Sequence, residues 1–271
     1  MVDDVQSDLI FDLGLHRGED TEFYLAKGFR VVAVDANQSL CDEVGKRLGA
    51  YVDSGALTIV NCAVAPESGD VTFYQDDFSA WSTVDAQWAK RNVRKGSHQQ
   101  TYTVKACTTA ELFERYGVPY YLKIDIEGMD VVALSGLESA PGRPRYVSLE
   151  SDKVSFRALR NEFDTFVELG YDAFKLVSQR NVPKQQLPQP AREGSYVAHT
   201  FELGSSGAFG EEAPGEWISA DEAIDRYRRV FLKYMLNGDD PLVRSRLVRN
   251  AAKVLGFRYD WFDTHARLAA G

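Results

Sequence analysis

Cysteine is scarce in this chain: 271 residues hold three, Cys41, Cys62 and Cys107. The count is odd and no pair has metal-ligand spacing, so neither a disulfide framework nor a zinc site is expected, and a reducing compartment suits the composition. No apolar run approaches the ~18 residues that a membrane span needs. The opening MVDDVQSD is acidic and has no basic or apolar segment of the kind a signal peptide carries. The expectation is a soluble, cytoplasmic protein without a membrane span. Positive charge is also short: 31 Lys+Arg against 40 Asp+Glu leave a net charge of −9. That balance repels a phosphate backbone, so nucleic acid is not an expected partner. The one dense basic stretch, RNVRK at 91–95, reads as a solvated face.

What is present in quantity is alternation. Hydrophobic residues make up 44% of the chain, enough for a sizeable core. DLIFDL (8–13) reads as a strand, 19–28 as a helix closed by Gly28, RVVAVD (30–35) as a buried strand, 38–48 as a helix and LTIVNCAV (57–64) as a third strand. Strand, helix and strand in turn signify a parallel sheet with right-handed crossovers. Residues 76–100 read as a long polar surface excursion. Strands resume at 102–107, 120–125 and 145–150, with helices at 109–116, 129–137 and 155–169. YDAFKLV (171–177) and VAHTFEL (197–203) read as two late strands flanking a proline-rich loop. Two helices are expected beyond 204, the first opened by Ser219 and Glu222, the second running from Pro241 to about Gly256. The resulting division is a domain over 1–203 and a helical extension over 204–271.

The stretch IFDLGLHRGED (10–20) sits between a strand and a helix, where the ligand crevice of an open α/β sheet lies. A dinucleotide fingerprint would place glycine at position 16; here His16 stands there, and the pattern is Asp12, Gly14, Gly18. An acid at the loop's start suits a cationic amino-acid moiety better than a pyrophosphate. Asp35 ends the second strand, 23 residues after Asp12, about the spacing of the acid that binds ribose hydroxyls. Alternatively Asp12 is a structural acid and the glycines simple turn formers.

YLKIDIEGMD (121–130) is equally informative. Lys123, Asp125 and Glu127 alternate with apolar residues, so period two puts the charges on one side of a central strand, near its carboxyl end. Buried charges of this kind are costly unless paired or used; a salt-bridged strand end is the structural alternative.

DLGLHRGEDT, VVAVDAN, LKIDIEGMDVVALSGLE and YVSLE together resemble the FkbM-type methyltransferases, over roughly residues 8–177. The resemblance implies a class I Rossmann-like fold: a mostly parallel seven-stranded sheet, helices on both faces, the last two strands forming a hairpin with one antiparallel member. It implies S-adenosylmethionine as cofactor and a hydroxyl of a saccharide, glycan or natural product as methyl acceptor. Asp12, Gly14, His16 and Gly18 would then lie at the cofactor's methionine end, Asp35 at its ribose, Asn61 and Ala63 near adenine. Asp125 and Glu127 would sit near the transferred methyl as candidate proton acceptors. Two carboxylates on one strand end could also hold a divalent cation, a reading that so few local ligands do not favour.

Candidates for the acceptor side come from the residues alone. Trp81 and Ser82, in SAWST, offer a flat face and a hydroxyl. In the tail DWFDTHARL, Asp260, Asp263 and His265 alternate with Trp261 and Phe262; they could fold over the pocket, with Trp261 against a sugar face and His265 as a base, or simply dock as a buried segment. Two other functions compete: a nicotinamide-dependent oxidoreductase, which would want the missing glycine, and a non-catalytic relative of the fold. Oligomeric state leaves no mark on the sequence.

Overall fold

A computed structural model of the chain describes residues 5–78, 81–152, 155–237 and 260–269. Among these residues ten strands and eight α-helices follow in order: β1 (Val5–Leu13), α1 (Glu19–Ala26), β2 (Arg30–Asp35), α2 (Gln38–Arg47), α3 (Gly49–Asp53), β3 (Leu57–Asn61), β4 (Ala63–Val64), β5 (Gly69–Asp76), α4 (Ala86–Arg94), β6 (Gln99–Cys107), α5 (Thr109–Tyr116), β7 (Val118–Ile124), α6 (Asp130–Ser135), β8 (Tyr146–Glu150), α7 (Phe156–Glu168), β9 (Tyr171–Ser178), α8 (Ala220–Asn237) and β10 (Phe262–Leu268). Seven strands make the main sheet, in the order β3-β2-β1-β7-β8-β10-β9, and β4-β6-β5 make a small second one. β3, β2, β1, β7 and β8 run parallel, while β10 is antiparallel to both of its neighbours. This is a mostly parallel seven-stranded sheet with one antiparallel member, as the resemblance implies.

Alternation along the strands sorts the side chains into two cores. On one face Phe11, Leu122, Ile124 and Val147 pack against Phe113 of α5, Leu134 of α6, Phe163 of α7 and Tyr227 of α8. On the other Ile10, Ala33, Tyr121 and Tyr146 pack against Phe23 and Tyr24 of α1 and Val44 of α2. Phe209, from the irregular segment after β9, closes this second core by stacking on Tyr121 at 4.7 Å.

Four expectations are corrected. Residues 197–203 form no strand: Phe201 is buried and packs edge-on against Phe23, so the alternation serves a covering loop that rests on α1. The antiparallel member of the sheet is the tail segment Phe262–Leu268, so the region assigned to a helical extension supplies a central strand of the main domain. The polar excursion contains α4, whose N-terminus is capped by the Asp85 carboxylate accepting from the N–H groups of Gln87 and Trp88. Finally, Cys62 and Cys107 are joined as a disulfide 45 residues apart in sequence. Pairing of Ala63 with Ala106 and Val64 with Cys107 brings them together, a juxtaposition that spacing cannot reveal. The first extension helix is α8; the second, expected from Pro241, lies outside the described residues. Among the described residues no helix is long and apolar enough to cross a membrane.

Two acids of the α-helical layer, one buried and one half-buried, favour their protonated forms. Glu162 of α7 is 1% exposed, accepts from the Ser151 hydroxyl at 2.7 Å, and burial pushes its pKa up to about 8. Asp130 of α6 is raised to about 7, by burial and then by the Asp125 charge. Both bind protons more readily folded than unfolded, so the stability they support is complete below the ordinary carboxylate range and is lost as pH rises through 7 and 8. Thermal unfolding should therefore show a loss on the order of 1–2 kcal/mol between about pH 6.5 and 8. Glu162→Gln should flatten that slope; an unchanged slope in the variant would contradict the assignment.

Candidate active site

The site is built around a row of buried polar groups crossing five strands. In register, Asp12 of β1 faces Lys123 of β7, Lys123 faces Ser148 of β8, Ser148 faces His265 of β10, and His265 faces Lys175 of β9. All five are buried. Toward the carboxyl ends of the parallel strands, two residues further on, come Gly14, Asp125 and Glu150, with Asp263 opposite Glu150.

Lys123 holds this arrangement together. Its ammonium donates to Asp12 Oδ1 at 2.9 Å and to the Gly14 carbonyl at 2.9 Å, and lies 3.6 Å from Asp20 and 3.9 Å from Asp125. Burial opposes its charge, but Asp12, Asp125 and Asp20 outweigh that and hold its pKa well above the ordinary lysine value. The other Asp12 oxygen accepts from the Thr21 hydroxyl at 2.6 Å. Asp20 accepts from the Ser206 N–H with both oxygens, at 2.9 and 3.1 Å, which ties the glycine-rich GSSG turn to the start of α1. Burial raises Asp20 to about 6, against the pull of Lys123.

Above this floor lies a cavity of about 420 Å³. Gly14 and His16 line it, as do Asp35, Ala63, Asp125 and Glu127. The Asp35 carboxylate is fixed by the backbone N–H groups of His16 and Asn37, each at 2.8 Å. Two turns carry the strain. His16 adopts a left-handed φ of 48°, and Glu127 one of 44°, conformations that non-glycine residues rarely adopt and that cluster at functional sites. Around Glu127 the strain is held from three sides. Asp130 accepts from the N–H groups of Ile126 and Gly128, both at 3.2 Å, and the Thr83 hydroxyl donates to the Glu127 carbonyl at 2.7 Å. Trp88 of α4 lies so close that a Cβ on Gly128 would stand 2.5 Å from its ring.

Not every candidate faces the cavity. Asp12 is fully buried beneath it, both oxygens engaged within the protein, so it acts on the site through Lys123. Gly18 caps α1 outside the lining, packed against Val44. Asn61 holds the end of β2, donating to the Asp35 carbonyl at 3.0 Å. Ser82 and Trp261 line the cavity; Trp81 does not, its ring lying against Phe78 and Lys95. His265 is the clear correction. It is 1% exposed inside β10, neither ring nitrogen has a hydrogen-bond partner among the described residues, and burial with the Lys175 charge pushes its pKa down to about 3. It neither covers the pocket nor reaches it, because the tail is a sheet strand rather than a folded-back flap. Glu150, Asp20, Phe73 and Phe78 line the cavity without having been singled out. Glu150 alone had a legible signal, an acid at the carboxyl end of a strand.

Gly14 has no room for a side chain: its φ is +94°, and a Cβ would stand 1.9 Å from the Asp125 carbonyl oxygen, backbone that cannot yield cheaply. Gly14→Ala should cost at least about 1–3 kcal/mol of stability from backbone strain alone, read by chemical denaturation. A variant as stable as the wild type would show that the loop does not meet β7 as described.

Among the described residues no group of three or more His, Cys, Asp or Glu is placed to share a metal ion. The methyltransferase FkbM domain family matches residues 12–173. A search of curated proteins finds no match. Among solved structures, the chain is similar to a putative sarcosine dimethylglycine methyltransferase from Galdieria sulphuraria (7% identity, 97% of this chain and 78% of that one, TM-score 0.38). It is also similar to a SAM-dependent methyltransferase from Thiobacillus denitrificans in complex with S-adenosyl-L-homocysteine (10% identity, 98% and 86%, TM-score 0.37). A third is a geranyl diphosphate methyltransferase in complex with SAM (8% identity, 99% and 81%, TM-score 0.40). With more than half of its length matched, the glycine loop and the motif turn included, the chain belongs to the FkbM methyltransferase family.

Proposed function

We propose that the protein transfers the methyl group of S-adenosylmethionine to a hydroxyl of a small saccharide, glycan unit or natural product. The observation that carries this reading is convergence: the glycine loop, Asp35 and the Asp125–Gly128 turn come from three strand ends and line or border one cavity.

The residues present fit the donor. Asp35 is an acceptor-only group held by two backbone N–H bonds, suited to a ribose diol. Ala63 and Val64 line the same cavity after β3 and suit the flat adenine. The loop at Gly14–His16 lacks the second glycine that brings a pyrophosphate against a helix N-terminus, and it borders Asp20 and Asp125, which suit the cationic methionine end.

S-Adenosylmethionine supplies an electrophilic methyl when bound. The chain's own task is to hold the acceptor oxygen in line, which contributes several orders of magnitude, and to take its proton as the bond forms. Asp125 and Glu127 are the candidate proton acceptors; a positioned base adds roughly 10²–10⁴-fold. Ser82 and Trp261 offer a hydroxyl and a flat apolar face for the acceptor.

Calorimetric titration with S-adenosylmethionine, S-adenosylhomocysteine and NADH tests the reading. Both adenosyl compounds should bind, and Asp35→Ala should weaken them by at least about tenfold, the loss expected when hydrogen bonds to a charged group are removed. Binding of NADH in their place would overturn it.

A further inference from the structure

The disulfide between Cys62 and Cys107 stands at the edge of the cavity, and it fastens part of the cavity's own wall. Cys62 directly follows β3 and lines the cavity, while Cys107 ends β6. The chain between them carries β4, β5, α4 and most of β6. From this segment Phe73, Ser82, Thr83 and Val84 line the cavity, the Thr83 hydroxyl donates to the Glu127 carbonyl, and Trp88 packs on Gly128. Among the described residues the noncovalent fastening of the segment's two ends is thin. β4 pairs with β6 through two residues, after which the Ala65 N–H donates to the Cys107 carbonyl at 3.0 Å. The buried members of the small sheet's core are all alanine: Ala63, Ala65 and Ala106. Alanines bury little apolar area, so the covalent link supplies a large part of the fastening.

The same junction accommodates the reduced pair. Backbone pairing of Ala63 with Ala106 and Val64 with Cys107 holds the two cysteine Cα atoms 6.4 Å apart, so separated thiols stay within reach of one another. The Cys107 sulfur lies 3.6 Å from the Ala63 carbonyl, an acceptor to which a free thiol there donates. Access to the two sulfurs is unequal. Cys62 is 7% exposed and Cys107 is half-buried, so Cys107 is the one that an outside thiol reaches.

We propose that Cys62 and Cys107 are a reversible thiol–disulfide site that sets the cavity's affinity for its methyl donor: the disulfide holds the 62–107 segment in the binding arrangement, and a dithiol releases it. This rests on the reading of the cavity as a site for S-adenosylmethionine. In the exchange a thiolate of the dithiol attacks the Cys107 sulfur and forms a new S–S bond. The Cys62–Cys107 bond breaks with its electron pair leaving on Cys62, which takes a proton. The dithiol's second thiolate then attacks the mixed disulfide at the dithiol's own sulfur and expels Cys107, which takes a proton in turn. The dithiol is oxidised by two electrons and the cysteine pair is reduced by two.

The test is calorimetric titration of the full chain with S-adenosylhomocysteine, once oxidised and once reduced by dithiothreitol, the thiols in each state being counted by alkylation and mass spectrometry. The oxidised protein should bind at least about fivefold more tightly than the reduced one, the lower end of ordinary coupling between two sites, and reoxidation should restore the affinity. By reciprocity, saturating S-adenosylhomocysteine should raise by the same factor the ratio of reduced to oxidised dithiothreitol at which half of the pair is open. Cys107→Ala, a change outside the cavity lining, should bind like the reduced wild type with or without dithiothreitol; should that variant fail to fold, the reduced wild type carries the comparison. Equal affinity in the two states, a disulfide that does not form under an oxidant, or one that dithiothreitol does not open in the folded protein would each overturn the proposal. Absence of binding in both states would strike the methyl-transfer reading and this proposal with it; binding that ignores the redox state would strike only the switch.

Discussion

The buried ion pair between Asp12 and Lys123 is the constraint on which the site depends. A lysine 3% exposed in the middle of a sheet is tolerated only because a carboxylate 2.9 Å away and the Gly14 carbonyl satisfy it. Removing one member of such a pair costs about 3–5 kcal/mol, since the other is left as a buried charge without its main partner. The pair also joins two pieces of chain more than a hundred residues apart. One is the glycine loop after β1; the other is the strand that ends in Asp125. The Gly14 carbonyl is fixed by Lys123, and the Asp125 N–H donates to the Leu13 carbonyl at 2.9 Å. Glycine loop and motif turn are therefore parts of one unit.

The same interaction is one part of a polar row that crosses an otherwise apolar face of the sheet. Asp12, Lys123, Ser148, His265 and Lys175 occupy successive strands at one level, with the acids Asp125, Glu150 and Asp263 at the next. At the far end Lys175 donates to the Gly210, Glu211 and Ala213 carbonyls, which anchors the irregular segment that covers this face. Lys27 and Glu212, both inaccessible and 2.9 Å apart, hold the segment from the side of α1. Charge buried in pairs thus fastens the cover, and the cover in turn supplies Glu202 and Leu203 to the cavity.

Much of this was legible because it is local. The β-branched run at 30–35 and the period-two charges of Lys123 and Asp125 are each written in adjacent residues. The convergence of Gly14, Asp35 and Asp125 followed from strand–turn–helix order, since ligand crevices lie at carboxyl strand ends. What stayed hidden depends on partners distant in sequence. VAHTFEL alternates like a strand, but Phe201 packs on Phe23 of α1 and the segment joins neither sheet. The tail FDTHARL has too many polar residues to read as a central strand, and only the buried row beside it accommodates Asp263 and His265. The role of Asp12 was ambiguous for the same reason: a loop acid that binds a ligand and one that neutralises a buried lysine look identical until β7 is beside it.

The most direct test of this account is a double-mutant cycle on Asp12→Leu and Lys123→Met, read by chemical denaturation and by calorimetric affinity for S-adenosylhomocysteine. Each single variant should be destabilised by about 3–5 kcal/mol, and the double variant should recover part of that stability, since neither member of the pair is left without the other, although Asp20 and Asp125 still lose the ammonium. Donor affinity should stay weakened in the double variant, because Gly14 has lost its anchor. Wild-type affinity in either single variant, or full recovery of affinity in the double, would contradict the claim that this pair builds the site.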